Sequence, residues 1–143
     1  MDHEAVARAM YDRDATAVAF GIELLEASPT RAVTRMQVRP DMCNGLAVIH
    51  GGMTFLLADS AMAFASNSEN EAAFATSAEI DWLAPAVAGQ WLTAIAEQRS
   101  SGARSALWDI TVEASDNKEG TKGPTVIALF RGRTRKTNKK VTD

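Results

Sequence analysis

The chain has 143 residues with only four prolines and a net charge of −3, a size suited to one domain over residues 1–143 that buries about two-thirds of its unfolded surface. The acidic balance argues against a general nucleic-acid binder, which would be strongly basic. One cysteine excludes an internal disulfide, and with two histidines these residue types cannot complete a typical structural zinc site. We therefore expect a protein of the reducing cytoplasm that carries no metal and no cofactor.

The amino-terminal segment, residues 2–20, favours one or two short helices. Its apolar residues recur at mixed helical spacing, and Gly21 is a typical helix stop. The first residues are polar and partly acidic, without the basic start and apolar stretch of a secretory signal. We therefore do not expect secretion.

Two strand-like runs follow, at 22–27 and 31–39. Ser-Pro-Thr at 28–30 is a turn signal between them, and Pro40 ends the second run. The simplest assignment is a β-hairpin, followed by a loop over 41–49.

A largely apolar helix is predicted at about 51–68, and it carries a single carboxylate, Asp59, in its interior. Asp is a poor helix-interior residue and is rarely buried without a partner. The residues around Asp59 are apolar on every side, as in a helix enclosed by protein. This suggests that the carboxylate takes part in chemistry. Because Asp59 and Ser60 interrupt the apolar run, the helix lacks the ~20 apolar residues of a membrane span, and we expect no membrane partner.

The helix opens on His50-Gly51-Gly52, which would leave its first amides sterically open. Such amides lack internal acceptors and lie at the positive end of the helix dipole, where they can stabilise an oxyanion. Gly51 and Asp59 are about 12 Å apart at 1.5 Å per residue, whereas donor and base must converge within ~3 Å of one reacting atom. If both serve one reaction, Asp59 of one subunit faces Gly51 of another across a two-fold axis, and the active site needs a homodimer.

Strand candidates follow the helix at 74–83, 91–100, 103–115 and 125–134. Ser101-Gly102 predicts a tight hairpin between the second and third of them, and a polar loop precedes the last. The order of elements predicts an α+β fold, in which an antiparallel sheet wraps around one central helix.

Six basic residues cluster near the end of the sequence: Arg131, Arg133, Arg135, Lys136, Lys139 and Lys140. The three arginines alternate as they would on one face of a strand. This pattern fits either an anion-binding edge or a solvated surface, and the residues alone leave both interpretations open.

Several motifs occur in a characteristic order: Asn44, His50-Gly51-Gly52, Leu57-Ala58-Asp59, Ala65-x-Asn67, Glu79 to Pro85 and Ala128 to Gly132. Each is weak alone, but together they cover nearly the whole chain and resemble the signature of the hotdog-fold acyl-CoA thioesterases. Within that family, the motifs resemble those of the phenylacetate-degradation (PaaI-type) enzymes. The resemblance implies a hotdog fold and hydrolysis of acyl-CoA, with aryl-acetyl or medium acyl groups as expected substrates. It also implies a homodimer that pairs further into a homotetramer.

The resemblance assigns roles to individual residues. Asp59 would activate water or attack the thioester itself, and no general acid is needed because a thiol of pKa near ~8.5 leaves readily as thiolate. The backbone N–H of Gly51 would bind the thioester oxygen, with Gly52 lining the substrate site. His50 and Asn44 would orient the loop, the carbonyl or the attacking water. The phosphates of CoA would then make Arg131, Arg133 and Arg135 candidate substrate contacts.

Each of these residues also has a purely structural interpretation. Gly51 suits a helix start, Asn44 begins an Asn-Gly turn pair, and His50 could satisfy a buried hydrogen bond. Asn67 we interpret as a helix cap despite its place in the family pattern.

The sequence also departs from the family. Ala84 stands where PaaI-type enzymes commonly carry Arg, and Glu79 replaces a small hydroxyl residue. Of all the features that the resemblance implies, the contacts to the acyl group and to CoA are therefore the ones it defines least. Hotdog hydratases place a His five residues after the Asp, where this chain has Phe64, which disfavours hydration. The alternative is an acyl-CoA binding or sensing protein without turnover. The retained Asp59 favours hydrolysis, because a binder gains nothing from an uncompensated buried acid.

Overall fold

The computed structural model describes residues 1–143 as three α-helices, one 3-10 helix and six β-strands. The helices are α1 (His3–Asp12), α2 (Ala15–Phe20) and α3 (Gly51–Asn67), and the 3-10 helix is Pro40–Met42. The strands are β1 (Glu23–Ser28), β2 (Arg31–Gln37), β3 (Ala73–Trp82), β4 (Trp91–Ser101), β5 (Ser105–Ser115) and β6 (Thr125–Lys136).

The six strands form one antiparallel sheet in the order β1-β2-β4-β5-β6-β3, with α3 packed against one face. The buried side chains of α3 include Leu57, Ala61 and Phe64, and they meet large residues of the central strands such as Trp108 and Phe130. The sheet thus curves around the helix and encloses most of it. This confirms the predicted sheet around a central helix.

The amino-terminal helices have clear local causes. Asp2 caps α1 and Asp14 caps α2, each accepting a hydrogen bond from the backbone N–H three residues on. Gly21 ends α2 with a φ of 67°, which a residue without Cβ adopts freely. The prediction of short helices and of the Gly21 stop is confirmed.

The strands and the long helix agree with prediction to within two residues at each end, and two of the differences have a visible cause. The last strand runs to Lys136 rather than stopping at 134, because β6 is paired on both sides, with β5 and with β3. The turn after β4 is longer than the predicted Ser101-Gly102 pair: residues 102–104 connect the strands, and the Gly102 N–H donates to the Ser105 carbonyl.

One edge of the sheet is left open at β3. This strand pairs with β6 alone, and eight of its ten residues are exposed, including Phe74 and Trp82. A long unpaired edge with apolar side chains is unusual for an isolated protein, since such edges are usually shortened, charged or covered. No helix is long and apolar enough to cross a membrane.

Candidate active site

The start of α3 presents unpaired backbone amides. His50 is the N-cap residue, and its carbonyl accepts hydrogen bonds from the N–H groups of Met53 (3.0 Å) and Thr54 (3.5 Å). The N–H groups of Gly51 and Gly52 come too early in the helix to pair with a helical carbonyl. Neither has a hydrogen-bond acceptor within the chain. An anionic or carbonyl oxygen placed there would meet two free donors at the positive end of the helix.

The loop leading to this helix start is organised by Asn44. Its side-chain Oδ1 accepts from the N–H groups of Leu46 (2.9 Å) and Val48 (3.4 Å), and its backbone N–H donates to the Val48 carbonyl at 2.8 Å. The His50 backbone N–H donates to the Met42 carbonyl at 2.9 Å, while the His50 side chain is exposed. The predicted turn role of Asn44 is confirmed. The alternative for His50, a buried hydrogen bond of its ring, is not seen, because His50 is exposed.

Asp59 lies in α3, eight positions after Gly51, and is half-buried. Its carboxylate makes no hydrogen bond and no ion pair within the chain, and burial raises the pKa of this group above its ordinary value of 3.8. The Asp59 side chain lines a cavity of about 220 Å³ between α1, α3, β3 and β6, together with Met10, Met62, Ala63, Ser66, Asn67, Ala73, Phe74, Ala75 and Thr134.

A second pocket, of about 470 Å³, lies at the start of α3. Gly51 and Thr54 form its helix side, and Trp82, Leu83 and Pro85 form its opposite wall. The indole Nε1 of Trp82 donates a hydrogen bond to the Gly51 carbonyl at 3.1 Å. Sequence reasoning missed Trp82; its place in the strand leading to Pro85 was a signal, but the partner of its indole lies 31 positions away.

Within one protomer, the free amides and the carboxylate stay apart. Gly51 and Asp59 share one continuous helix, which holds them at about 12 Å. They line two different pockets. A single copy of the chain therefore does not bring the predicted oxyanion donor and the predicted base to one reacting atom.

The three arginines of the carboxy-terminal strand do alternate on one face, the face of the sheet turned away from α3. Arg131 is held by Asp109 in a two-point contact (Nε–Oδ1 2.7 Å, Nη2–Oδ2 2.9 Å), and Arg99 joins the same carboxylate at 2.6 Å. These partners lower the pKa of Asp109 to about 2. Arg133 and Arg135 are exposed and form no ion pair. The sheet thus separates all three side chains from the Asp59 cavity.

Three further residues of the family pattern can be placed. The Asn67 side chain pairs with both backbone groups of Ala73, accepting from its N–H at 2.9 Å and donating to its carbonyl at 3.0 Å, so it joins the end of α3 to the start of β3. Asn67 has a structural role as predicted, but it is the last residue of α3 and the cap is Ser68, so the assignment of Asn67 as the cap is wrong by one residue. Glu79 lies opposite Arg131 in the strand register, and Ala84 lines the pocket beside Gly51. No group of three His, Cys, Asp or Glu side chains is close enough to hold a metal ion.

Comparison with known proteins identifies relatives over most of the chain. The family model described as the thioesterase superfamily matches residues 46–121. The acyl-coenzyme A thioesterase PaaI of Escherichia coli K12 is 39% identical over 144 residues, covering 99% of this chain and 98% of that protein.

Two solved structures agree in architecture. The E. coli PaaI protein from the phenylacetic acid degradation operon superposes with a TM-score of 0.86 at 37% identity, covering 95% of this chain and 94% of that one. A mutant of the phenylacetic acid degradation protein PaaI from Thermus thermophilus gives a TM-score of 0.78 at 31% identity, covering 87% of this chain and 100% of that one.

The antiparallel sheet around α3 is therefore the hotdog fold, and the class of protein is a hotdog thioester hydrolase. The chain belongs to the thioesterase superfamily and is of the PaaI type, as the sequence motifs predict.

Proposed function

We propose that this protein, a single domain over residues 1–143, is a cytoplasmic acyl-CoA thioesterase that hydrolyses aryl-acetyl or medium-chain acyl-CoA to the free acid and CoA. The observation that carries the proposal is Asp59, a half-buried carboxylate with no hydrogen-bond partner inside an otherwise uncharged, largely apolar helix. A half-buried carboxylate without a partner destabilises the fold, so a role in the reaction best explains why Asp59 is there.

The chemistry needs one carboxylate and one water. As a base, Asp59 takes a proton from water while the water oxygen adds to the thioester carbonyl; the C–S bond then breaks and the thiolate of CoA leaves with its electron pair. As a nucleophile, Asp59 adds to the carbonyl instead, expels the thiolate, and leaves an anhydride that water cleaves. Both routes consume one water and yield the acid and CoA.

The surroundings of Asp59 suit this work. Burial raises its pKa, which makes the ionised carboxylate a stronger base. The neighbouring cavity of about 220 Å³ is lined mainly by apolar residues, including Met62 and Phe74. A dry apolar cavity of about 150 Å³ is known to hold benzene, so this one has room for a single aromatic ring or a short chain.

The other half of the site is the start of α3. The open N–H of Gly51 stabilises the thioester oxygen, which becomes negative as the carbonyl is attacked. Gly52, whose N–H is also open, lies beside the same part of the substrate. His50, exposed beside these amides, orients the carbonyl. The Asn44 amide nitrogen, which makes no hydrogen bond within the chain, is available to the carbonyl or to the attacking water.

The two halves meet in a homodimer. Gly52, Phe55, Asp59 and Ala63 fall on one side of α3 and are incompletely buried, so the enclosing sheet leaves a stripe of the helix uncovered. The stripe runs beside the open edge of β3. A second copy packed antiparallel covers both, and it brings its own Gly51 to Asp59. We further propose that two such dimers pair as a homotetramer.

The outer face of the sheet contributes to CoA recognition. Arg133 and Arg135 carry uncompensated charges that suit phosphate groups. Arg131 contributes less, because Asp109 neutralises part of its charge.

The test is a thiol-release assay of the wild-type protein on a panel of acyl-CoA esters, with binding of each ester measured in parallel. We expect turnover, with the highest kcat/KM for aryl-acetyl or medium-chain esters. Tight binding across the panel without release of CoA would instead identify a non-catalytic acyl-CoA binding protein.

A further inference from the structure

Trp82 occupies an unusual position for a large aromatic residue. It ends β3 with 55% of its surface exposed, yet its indole is not free. The ring lies over the first turn of α3, and its Nε1 donates to the Gly51 carbonyl at 3.1 Å. The side chain therefore joins the end of the open edge strand to the start of the central helix.

The indole and Gly51 fit closely together. A Cβ added to Gly51 would lie 2.9 Å from both Cε2 and Nε1 of Trp82, closer than real Cβ contacts come. The indole approaches the Gly51 backbone at the position that a side chain would occupy. Only glycine allows this approach. The contact fixes the Cα of Gly51 against a flat, rigid surface.

The hydrogen bond fixes an orientation as well. The Gly51 carbonyl and the Gly52 N–H belong to one planar peptide unit, so a donor that holds the carbonyl also sets the direction of that N–H. The N–H of Gly51 lies on the other side of the same Cα. The indole therefore sets the direction of the Gly52 N–H through its hydrogen bond, and it acts on the Gly51 N–H only through its close packing beside the Gly51 Cα.

We infer that Trp82 is a positioning residue for the oxyanion donors, and that its ring forms the wall of the pocket against which the thioester lies. The inference rests on the proposed function of Gly51. It assigns the indole to the same half-site as Gly51, whereas the carboxylate of that site comes from the other subunit.

The fold does not need this indole to hold the strand in place. Next to it, the Leu83 and Ala84 N–H groups both donate to the Ile127 carbonyl, at 2.7 and 3.3 Å, and Trp82 itself is registered opposite Ala128. These backbone contacts remain when the side chain changes. We therefore expect Trp82 variants to fold, which is checked by circular dichroism and thermal unfolding.

The first experiment compares Trp82→Phe and Trp82→Ala with a matched control, Trp91→Phe. Trp91 starts β4 and lies beside Arg35 and Lys118, outside both pockets. Trp82→Phe keeps a ring but loses the hydrogen-bond donor, so kcat should fall about tenfold. Trp82→Ala loses both the ring and the donor, so kcat should fall about a hundredfold. Losses of this size are expected when oxyanion donors are misplaced. KM should change little for Trp82→Phe, and Trp91→Phe should match the wild type.

A double-mutant cycle tests whether Trp82 acts through Gly51. Gly51→Ala alone places a methyl group against the indole and should lower kcat, whereas the same change in a Trp82→Ala background meets empty space. The two effects should therefore be clearly less than additive. Additive losses would overturn the inference, as would wild-type kcat in a folded Trp82→Ala protein.

Mixed dimers separate this inference from the proposed function. Trp82→Ala mixed with Asp59→Ala should regain activity, because one site then combines an intact Trp82 and Gly51 with an intact Asp59. Trp82→Ala mixed with Gly51→Val should regain none. If Asp59→Ala alone stays active, the proposed function fails; if it is inactive and Trp82→Ala pairs productively with Gly51→Val, only the assignment of Trp82 fails.

Discussion

The most specific prediction concerns mixtures of two inactive proteins. Asp59→Ala removes the carboxylate half of each site, and Gly51→Val blocks the amide half. In the proposed dimer, a heterodimer of the two variants has one site with both defects and one site with neither. The proposed shared site predicts this result, because about 12 Å of continuous helix separates the two residues within one copy of the chain.

The size of the recovery follows from counting sites. After full exchange of equal amounts, about half of the dimers are mixed and each has one intact site of two, so activity should return to about a quarter of the wild-type value per protomer. The assay is thiol release before and after subunit exchange, with differently tagged variants that are copurified to measure exchange. Verified exchange with no return of activity would refute the shared site, since each protomer would then have to hold a complete site of its own.

Three further predictions test parts of the account. Because burial raises the pKa of Asp59 and the reaction needs the ionised form, kcat/KM should fall on acidification through a pKa above 3.8, and an acid limb at or below that value would contradict the role. Neutralising Arg133 and Arg135 with Gln should raise KM for acyl-CoA and weaken its salt dependence but leave an acyl-pantetheine thioester nearly unaffected; equal losses on both substrates would indicate a role in folding instead. Asp109 has a folded pKa of about 2 against an ordinary 3.8, so its ion pairs stabilise the fold above pH ~4 and lose this effect as the pH falls towards 2. Because the partner arginines are half exposed, Asp109→Asn should lower the free energy of unfolding at pH 7 by only about 1 kcal/mol, a difference that urea unfolding at pH 7 and pH 3 can check.

The elements could be predicted because their causes are local. The apolar run after His50-Gly51-Gly52, the turn signals and the alternating strands each depend on neighbouring residues, and the structure follows them closely. The burial of much of α3 was also readable, since a helix that is largely apolar must be covered by protein, although Asp59 itself is only half-buried within the chain. The order of the strands in the sheet depends on pairing between distant segments and was not predicted, including the open edge at β3.

The site could be predicted only in part, for the same reason. Asp59 and Gly51 stand out from their own surroundings in the sequence. The indole of Trp82 bonds to a backbone group 31 positions away, and Asn67 bonds to Ala73 across the turn after the helix, so neither partner is visible in a linear pattern. Likewise, the alternation of the arginines was readable, but the carboxylate that holds Arg131 belongs to the neighbouring strand.

The central claim is that the Asp59 carboxylate performs the hydrolysis, and kcat for Asp59→Asn on the best acyl-CoA substrate tests it most directly. Asn keeps the size of the side chain and removes its basicity, so we expect kcat to fall by about a hundredfold or more while substrate binding, measured by calorimetry, is retained. Asp59→Ala should behave in the same way. A correctly folded variant of either kind that keeps most of the wild-type kcat would contradict the account.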